Sequence, residues 1–248
     1  MTALVYSHQY QALYLLQKSH EWGQKGQQSR LRTIRDNVGQ RFGVLGYGSI
    51  GRQAARVFKA MGSDVIAYTA SPRTTPESKR DNGFIVPGTG DPDGTIPSAW
   101  YSGMDKASLH HFLSQDIDHL LVSVPLTKET THFLGKEEFA ILGRKNAFIS
   151  NISRGQILQQ DDLIAALKQG ADPEQEGGLR GAALDVTDPE PLPEDSALWD
   201  APNCIVTPHI SGLGVMYAER AFQVLEVNLV RREEGKRLIN VVDRKKGY

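Results

Sequence analysis

Three short segments in the second half of the chain carry side chains suited to chemistry. They read Asn151-Ile152-Ser153-Arg154-Gly155, then Leu184-Asp185-Val186-Thr187-Asp188-Pro189-Glu190-Pro191, then Ile205-Val206-Thr207-Pro208-His209-Ile210-Ser211-Gly212. An imidazole near a carboxylate is the usual equipment for proton transfer. A guanidinium is a permanent charge able to hold an anion. Each segment follows a short apolar run. If those runs are parallel strands, all three lie beyond the C-terminal ends, where ligands bind in open α/β sheets.

A fourth segment supplies a different function. Phe42-Gly43-Val44-Leu45 is followed at once by Gly46-Tyr47-Gly48-Ser49-Ile50-Gly51 and a helix-like stretch. In a strand–turn–helix setting Gly46 permits the tight turn, Gly48 lets the backbone approach a pyrophosphate, and Gly51 lets the helix pack closely on the strand. The unpaired N–H groups at the helix start then face the anion. Dinucleotide binding follows from this context.

The elements that must position these groups alternate. Candidate strands are Phe42–Leu45, Asp64–Tyr68, Leu120–Val124, Ala147–Ile152, Ala182–Val186 and Cys204–Thr207. Several are nearly continuous apolar runs, as expected of parallel strands covered on both faces. Helical stretches lie at Ile50–Met61, Ser108–Leu113, Lys136–Leu142 and Asp161–Gln169. The order predicts an α/β fold with a doubly wound parallel sheet of the Rossmann type. Residues 82–106, rich in Gly and Pro, read as a long surface loop. Residues 170–179 read as an acidic, flexible connection. A helical pattern runs from Gly214 to Arg232 and a basic tail follows it. Gln9–Trp22 reads as one amphipathic helix.

A carboxylate commonly ends the second strand and binds the adenosine ribose. Here Val65-Ile66-Ala67-Tyr68 runs into Thr69-Ala70-Ser71-Pro72-Arg73. Hydroxyls of Thr69 and Ser71 stand in place of the acid, with Arg73 close by. A missing negative charge beside an arginine suits a 2′-phosphate. The cofactor expected is NAD(P)(H), with NADP(H) favoured over NAD(H).

The ordered set of motifs resembles the D-isomer-specific 2-hydroxyacid dehydrogenases from about Leu31 to Lys236, including Val124-Pro125-Leu126-Thr127 with Thr130. The resemblance implies a hydride-transferring oxidoreductase acting on a small 2-keto/2-hydroxy acid. It assigns His209 as the acid–base group, Glu190 as the carboxylate that favours its protonated form, and Arg154 as the holder of the substrate carboxylate. It places Gly46, Tyr47, Gly48, Ser49, Ile50, Gly51, Thr69, Ser71, Arg73, Val124, Pro125, Thr130, Ile152, Ser153 and Asp185 around the cofactor, Asp185 near the nicotinamide carboxamide. Related enzymes are homodimers through their nucleotide domains, so a homodimer is expected.

The same resemblance sets the domain plan: 1–30 a residual linker helix of a substrate domain, 31–232 the dinucleotide-binding domain, 233–248 a C-terminal tail. Only about 41 residues precede the first strand, fewer than the ~50 of an independent domain. Most of the lid that would enclose the substrate is expected to be missing, and activity to be impaired. The alternative is a catalytically weak dinucleotide-binding or sensing module acting through protein contacts.

Composition narrows the classes. The 248 residues are 40% hydrophobic, with 28 Lys plus Arg against 29 Asp plus Glu and a net charge of -1. No basic field is available for nucleic acid. No apolar run approaches the ~18 residues of a membrane span. No secretory signal stands at the N-terminus. The single cysteine, Cys204, excludes an internal disulfide and fits a reducing compartment. A cytoplasmic protein is expected. The histidines outside the motif show no ligand spacing, and His110 and His111, adjacent on a helix, point apart, so no metal is expected.

Overall fold

The computed structural model describes residues 1–22 and 34–244. The boundary drawn at residues 30 and 31, the start of the resemblance at Leu31 and the last four residues of the basic tail lie outside the described residues. Seven parallel strands form one sheet: β1 (Arg41–Leu45), β2 (Asp64–Thr69), β3 (Ala99–Ser102), β4 (His119–Val122), β5 (Phe148–Asn151), β6 (Gly181–Leu184) and β7 (Cys204–Val206). Their order across the sheet is β3-β2-β1-β4-β5-β6-β7. The chain therefore reverses its winding between β1 and β4, and a crevice opens there at the C-terminal ends.

Eight α-helices are described: α1 (Thr2–Ser7), α2 (Tyr10–Lys18), α3 (Ser49–Ala60), α4 (Pro76–Lys79), α5 (Lys106–Leu113), α6 (Lys136–Gly143), α7 (Gln160–Ala171) and α8 (Tyr217–Glu233). The strands alternate their side chains between two cores. Leu45, Ile66, Leu120, Val122, Ile149 and Leu184 pack with α5, α6 and α7 on one face. Phe42, Val44, Val65, Ala67 and Leu121 pack under α3 on the other, where α1 also sits, with Ala3 against Phe148 and Ala183. Tyr6 of α1 stacks on Phe148 at 4.8 Å, and its hydroxyl donates to the Arg180 carbonyl at 2.5 Å.

Two sequence readings need correction. The loop expected over 82–106 contains the edge strand β3, paired with β2 from Ile66–Ala99 to Thr69–Ser102. Four half-buried residues are too few to show a period, so the strand forms by pairing rather than by pattern. At the N-terminus α2 lies within the helix expected over Gln9–Trp22, and α1, which precedes it, was not expected. Gln9 separates them with φ at +54°, and six residues are too few to show a helical repeat.

His119, at the start of β4, is buried among aromatic rings. Those of Phe42, Phe58 and Phe148 meet it edge-on at 5.0, 5.0 and 5.2 Å, and its Nε2 pairs with Ser150 Oγ at 2.9 Å. Burial, aided by the charge of Arg180, pushes its pKa down to about 3. The unfolded chain takes up this proton near pH 6.5, whereas the folded chain does not. The associated stability is complete above that pH and is lost as pH falls toward the folded value. About 2 kcal/mol should disappear between pH 7.5 and pH 5. Urea midpoints of the parent and His119→Phe at the two pH values check this. An equal pH dependence in both proteins would contradict it.

Candidate active site

The glycine turn lies at the β1 end of the crevice. Gly46 has φ at +100°, and a Cβ there would sit 2.8 Å from the backbone of Ser123 and Val124 at the end of β4. Ser123 Oγ donates to the Gly46 carbonyl at 2.8 Å. At Gly51 a Cβ would meet the Gly46 carbonyl at 2.3 Å, so only glycine lets α3 approach this closely. At Gly48 nothing stands within 4 Å of where a Cβ would be. Gly48 is the N-cap of α3 and supplies no side-chain hydrogen bond, which leaves the first N–H groups of the helix without side-chain caps. An open approach to uncapped N–H groups fits a dinucleotide pyrophosphate. A cleft of about 680 Å³ extends from Ser49 and Ile50 to Ser211 and Arg220.

Not every residue expected around the cofactor presents its side chain there. The Tyr47 side chain is buried and its hydroxyl donates to Asp91 Oδ2 at 2.8 Å, so only its backbone can serve the turn. Thr130 is buried and donates to the Pro125 carbonyl at 2.7 Å, while accepting from the Thr127 N–H at 2.7 Å. It shapes the Val124–Pro125 loop. Ser153 Oγ donates to the Val124 carbonyl. Past β2, Thr69 Oγ1 donates to the Ser71 carbonyl at 2.8 Å. Arg73 donates from Nη1 to the Ser78 carbonyl at 2.5 Å, and its buried Nε has no hydrogen-bond partner.

The ends of β5, β6 and β7 lead into the segments that carry Arg154, Glu190 and His209. Asn151, fully buried, donates from Nδ2 to the Arg154 carbonyl at 2.9 Å and accepts from the Ser153 N–H at 3.1 Å. Gly155 is pressed on the Thr187 carbonyl, where a Cβ would come within 1.9 Å. The Arg154 turn thus lies against the segment leading to Glu190. The exposed Arg154 side chain folds back, Nη1 donating to the Ser153 carbonyl at 2.6 Å.

Asp185 is only 5% exposed and accepts three hydrogen bonds, from Thr207 Oγ1 at 2.6 Å and from the N–H groups of Ile210 and Ser211 at 3.0 and 2.9 Å. Burial alone would raise its pKa, but the hydrogen bonds from Ser211, Thr207 and Ile210 outweigh it and hold the carboxyl below its ordinary value. A carboxylate so engaged locks the loop after β7. His209 sits in that loop with φ at +51°, its N–H donating to the Asp185 carbonyl at 2.8 Å. Its Nδ1 then meets Glu190 Oε1 at 2.6 Å. The structure brings His209 and Glu190 together and leaves both partly open to solvent, with side-chain exposures of 46% and 36%.

Three supporting residues escaped the sequence reading as site residues. Asn151 and Thr207 sit inside the quoted motifs, and their buried or strand-end positions were the available signal. Asp91 had none, since it contacts Tyr47 across 44 positions. His110 also departs from expectation. Its Nε2 pairs with Glu138 at 2.5 Å and Glu137 stands close by. Lys106 Nζ, 2.9 Å from the same Glu138 oxygen, already neutralises that buried carboxylate.

The family model of the D-isomer specific 2-hydroxyacid dehydrogenase, NAD binding domain, matches residues 1–86 and 91–211. The chain belongs to this family. The match begins at residue 1 and takes in α1 and α2. Among relatives, the D-3-phosphoglycerate dehydrogenase of Methanocaldococcus jannaschii is 31% identical over 216 residues, covering 87% of this chain and 34% of that protein. The glyoxylate reductase of Korarchaeum cryptofilum is 28% identical over 208 residues, covering 84% and 53%. A solved structure of an NADPH-dependent glyoxylate/hydroxypyruvate reductase from Sinorhizobium meliloti, in complex with NADP and sulfate, superposes with a TM-score of 0.72 at 30% identity. It covers 100% of this chain and 67% of the other. The chain thus spans between a third and just over half of those two curated relatives. Among the described residues no helix is long and apolar enough to cross a membrane.

Proposed function

We propose that this chain binds NADP(H) in preference to NAD(H) and supplies the acid–base half of a reductase of small 2-keto acids. One observation carries the reading: the 2.6 Å His209–Glu190 pair stands at the C-terminal edge of the same sheet as an open glycine turn. Bound NAD(P)H would supply the hydride. Gly46, Gly48 and the N–H groups of Ser49 and Ile50 would hold its pyrophosphate. The Glu190 carboxylate on Nδ1 orients the imidazole and leaves Nε2 to carry the proton given to the substrate carbonyl oxygen. Arg154 gives up the Ser153 carbonyl to hold the substrate carboxylate and polarise the carbonyl with its permanent charge.

Because the chain spans only part of its relatives' length, we expect turnover by these 248 residues alone to be slower than theirs. Reduction of glyoxylate, hydroxypyruvate and pyruvate, assayed with NADPH and with NADH, checks the substrate class. A protein that binds cofactor but reduces none of them would favour a sensing role instead. We also propose a homodimer, with the exposed Leu13 and Leu15 of α2 and the exposed Trp22 beyond it covered by a second copy. A monomeric mass by light scattering would contradict this.

The cofactor preference rests on Arg73 and on the hydroxyls of Thr69 and Ser71 in place of an acid. Arg73→Ala should weaken NADPH binding by about 1–3 kcal/mol, the worth of a charge-assisted phosphate contact. NADH binding should stay nearly unchanged. Equal losses for the two cofactors by calorimetry would remove the assignment.

A further inference from the structure

Tyr47 stands between the two glycines of the turn, yet its side chain leaves the cleft. The ring packs edge-on to Trp100 at 4.9 Å, and the hydroxyl donates to Asp91 Oδ2 at 2.8 Å. Asp91 is itself only 4% exposed. Its carboxylate accepts two more hydrogen bonds, from the N–H groups of Thr95 at 3.0 Å and Ile96 at 3.1 Å. Three donors fix the orientation of this buried acceptor.

Arg52, in the first turn of α3, meets the same hub. It is 4% exposed, lies 5.0 Å from the Tyr47 ring centroid, and donates to the carbonyls of Asp91 at 2.6 Å and Lys79 at 2.7 Å. Residues 79–96 therefore form a strap tied both to the middle of the glycine turn and to the first turn of α3. Those two places carry the N–H groups that would face an anion. None of these side chains takes part in the proton chemistry assigned to His209. A buried carboxylate and guanidinium are costly in a core, and here they tie residues 79–96 to Tyr47 on one side of Gly48 and to Arg52 on the other.

We propose that Asp91 is a positioning residue for the dinucleotide: through Tyr47 and Arg52 it fixes the backbone N–H groups of the Gly46–Gly48 turn and the start of α3 for the pyrophosphate. This rests on reading the turn as a dinucleotide cradle. The pyrophosphate is common to NADPH and NADH, so the hub serves both cofactors alike, unlike Arg73.

The test is calorimetric titration of NADPH and NADH into the parent, Tyr47→Phe, Asp91→Asn and the double variant, with the melting temperature of each free protein. Tyr47→Phe keeps the ring packing but leaves the buried Asp91 carboxylate one donor short, so it should fold with a melting temperature lowered by several degrees. Its Kd should rise about 3- to 10-fold for both cofactors, with the NADPH/NADH ratio unchanged. Asp91→Asn should lose at least as much, and the double variant should be less than additive, because the two groups act as one unit. Unchanged affinity in Tyr47→Phe, whatever its melting temperature, would overturn the inference, as would a loss confined to one cofactor. If Asp91→Asn does not fold, Tyr47→Phe decides alone. A parent that binds neither cofactor would instead overturn the cradle reading, and the inference with it.

Discussion

Gly48→Val should leave the fold intact and remove dinucleotide binding. The backbone at Gly48 has φ of -86° and ψ of -167°, an extended conformation open to any residue. No atom stands within 4 Å of the added Cβ, so the free protein has nothing to displace. The new side chain enters the space through which a pyrophosphate reaches the first N–H groups of α3. Losing two charge-assisted contacts, at roughly 1.5 kcal/mol or more each, should raise Kd by at least about 100-fold for NADPH and NADH alike. Gly51→Ala provides the contrast. Its Cβ would fall 2.3 Å from the Gly46 carbonyl, so it should lower the melting temperature of the free protein as well. Calorimetry and thermal melts separate the two variants. Normal cofactor affinity in Gly48→Val would show that the turn is not the cradle.

His209→Asn should give the reverse pattern, with intact cofactor binding and lost chemistry. Asparagine tolerates the left-handed backbone that His209 adopts at φ +51° better than most residues do. The loop should also keep its hydrogen bonds to Asp185, which come mainly from backbone N–H groups. What disappears is the group able to give a proton at the substrate carbonyl. General acid catalysis contributes about 10²- to 10⁴-fold, and kcat should fall by that factor while the Kd for NADPH stays within about twofold. Glu190→Gln should fall less, since the imidazole remains and loses only the carboxylate on Nδ1. A His209→Asn protein with the parent's kcat would place the proton donor elsewhere.

The parts of this site that were legible in the sequence are those built from local order. Gly46, Gly48 and Gly51 follow a strand directly, and Arg154, Glu190 and His209 follow strands that read as apolar runs. In a parallel sheet such positions converge without knowledge of any contact. Arrangements made between distant segments were not legible. Tyr47 belongs to the glycine motif, but its side chain is claimed by Asp91, whose segment looks like an ordinary Gly- and Pro-rich loop. Asp185 was expected beside the nicotinamide. That its carboxylate also holds Thr207, Ile210 and Ser211, and so sets the backbone on which His209 is mounted, could not be read from the sequence. The strand β3 was missed for the same reason, because its four residues acquire their structure from β2. Local chemistry is written in residue type and spacing; packing partners 22 to 44 positions apart, as in these cases, are not.

The most direct measurement is single-turnover oxidation of NADPH bound to this chain, followed by absorbance after mixing with glyoxylate or hydroxypyruvate. The parent should oxidise its bound cofactor slowly but measurably, and His209→Asn should bind the same amount of NADPH and leave it reduced. Bound NADPH that stays reduced in the parent with both keto acids, or that His209→Asn oxidises at the parent's rate, would contradict the assignment of this site.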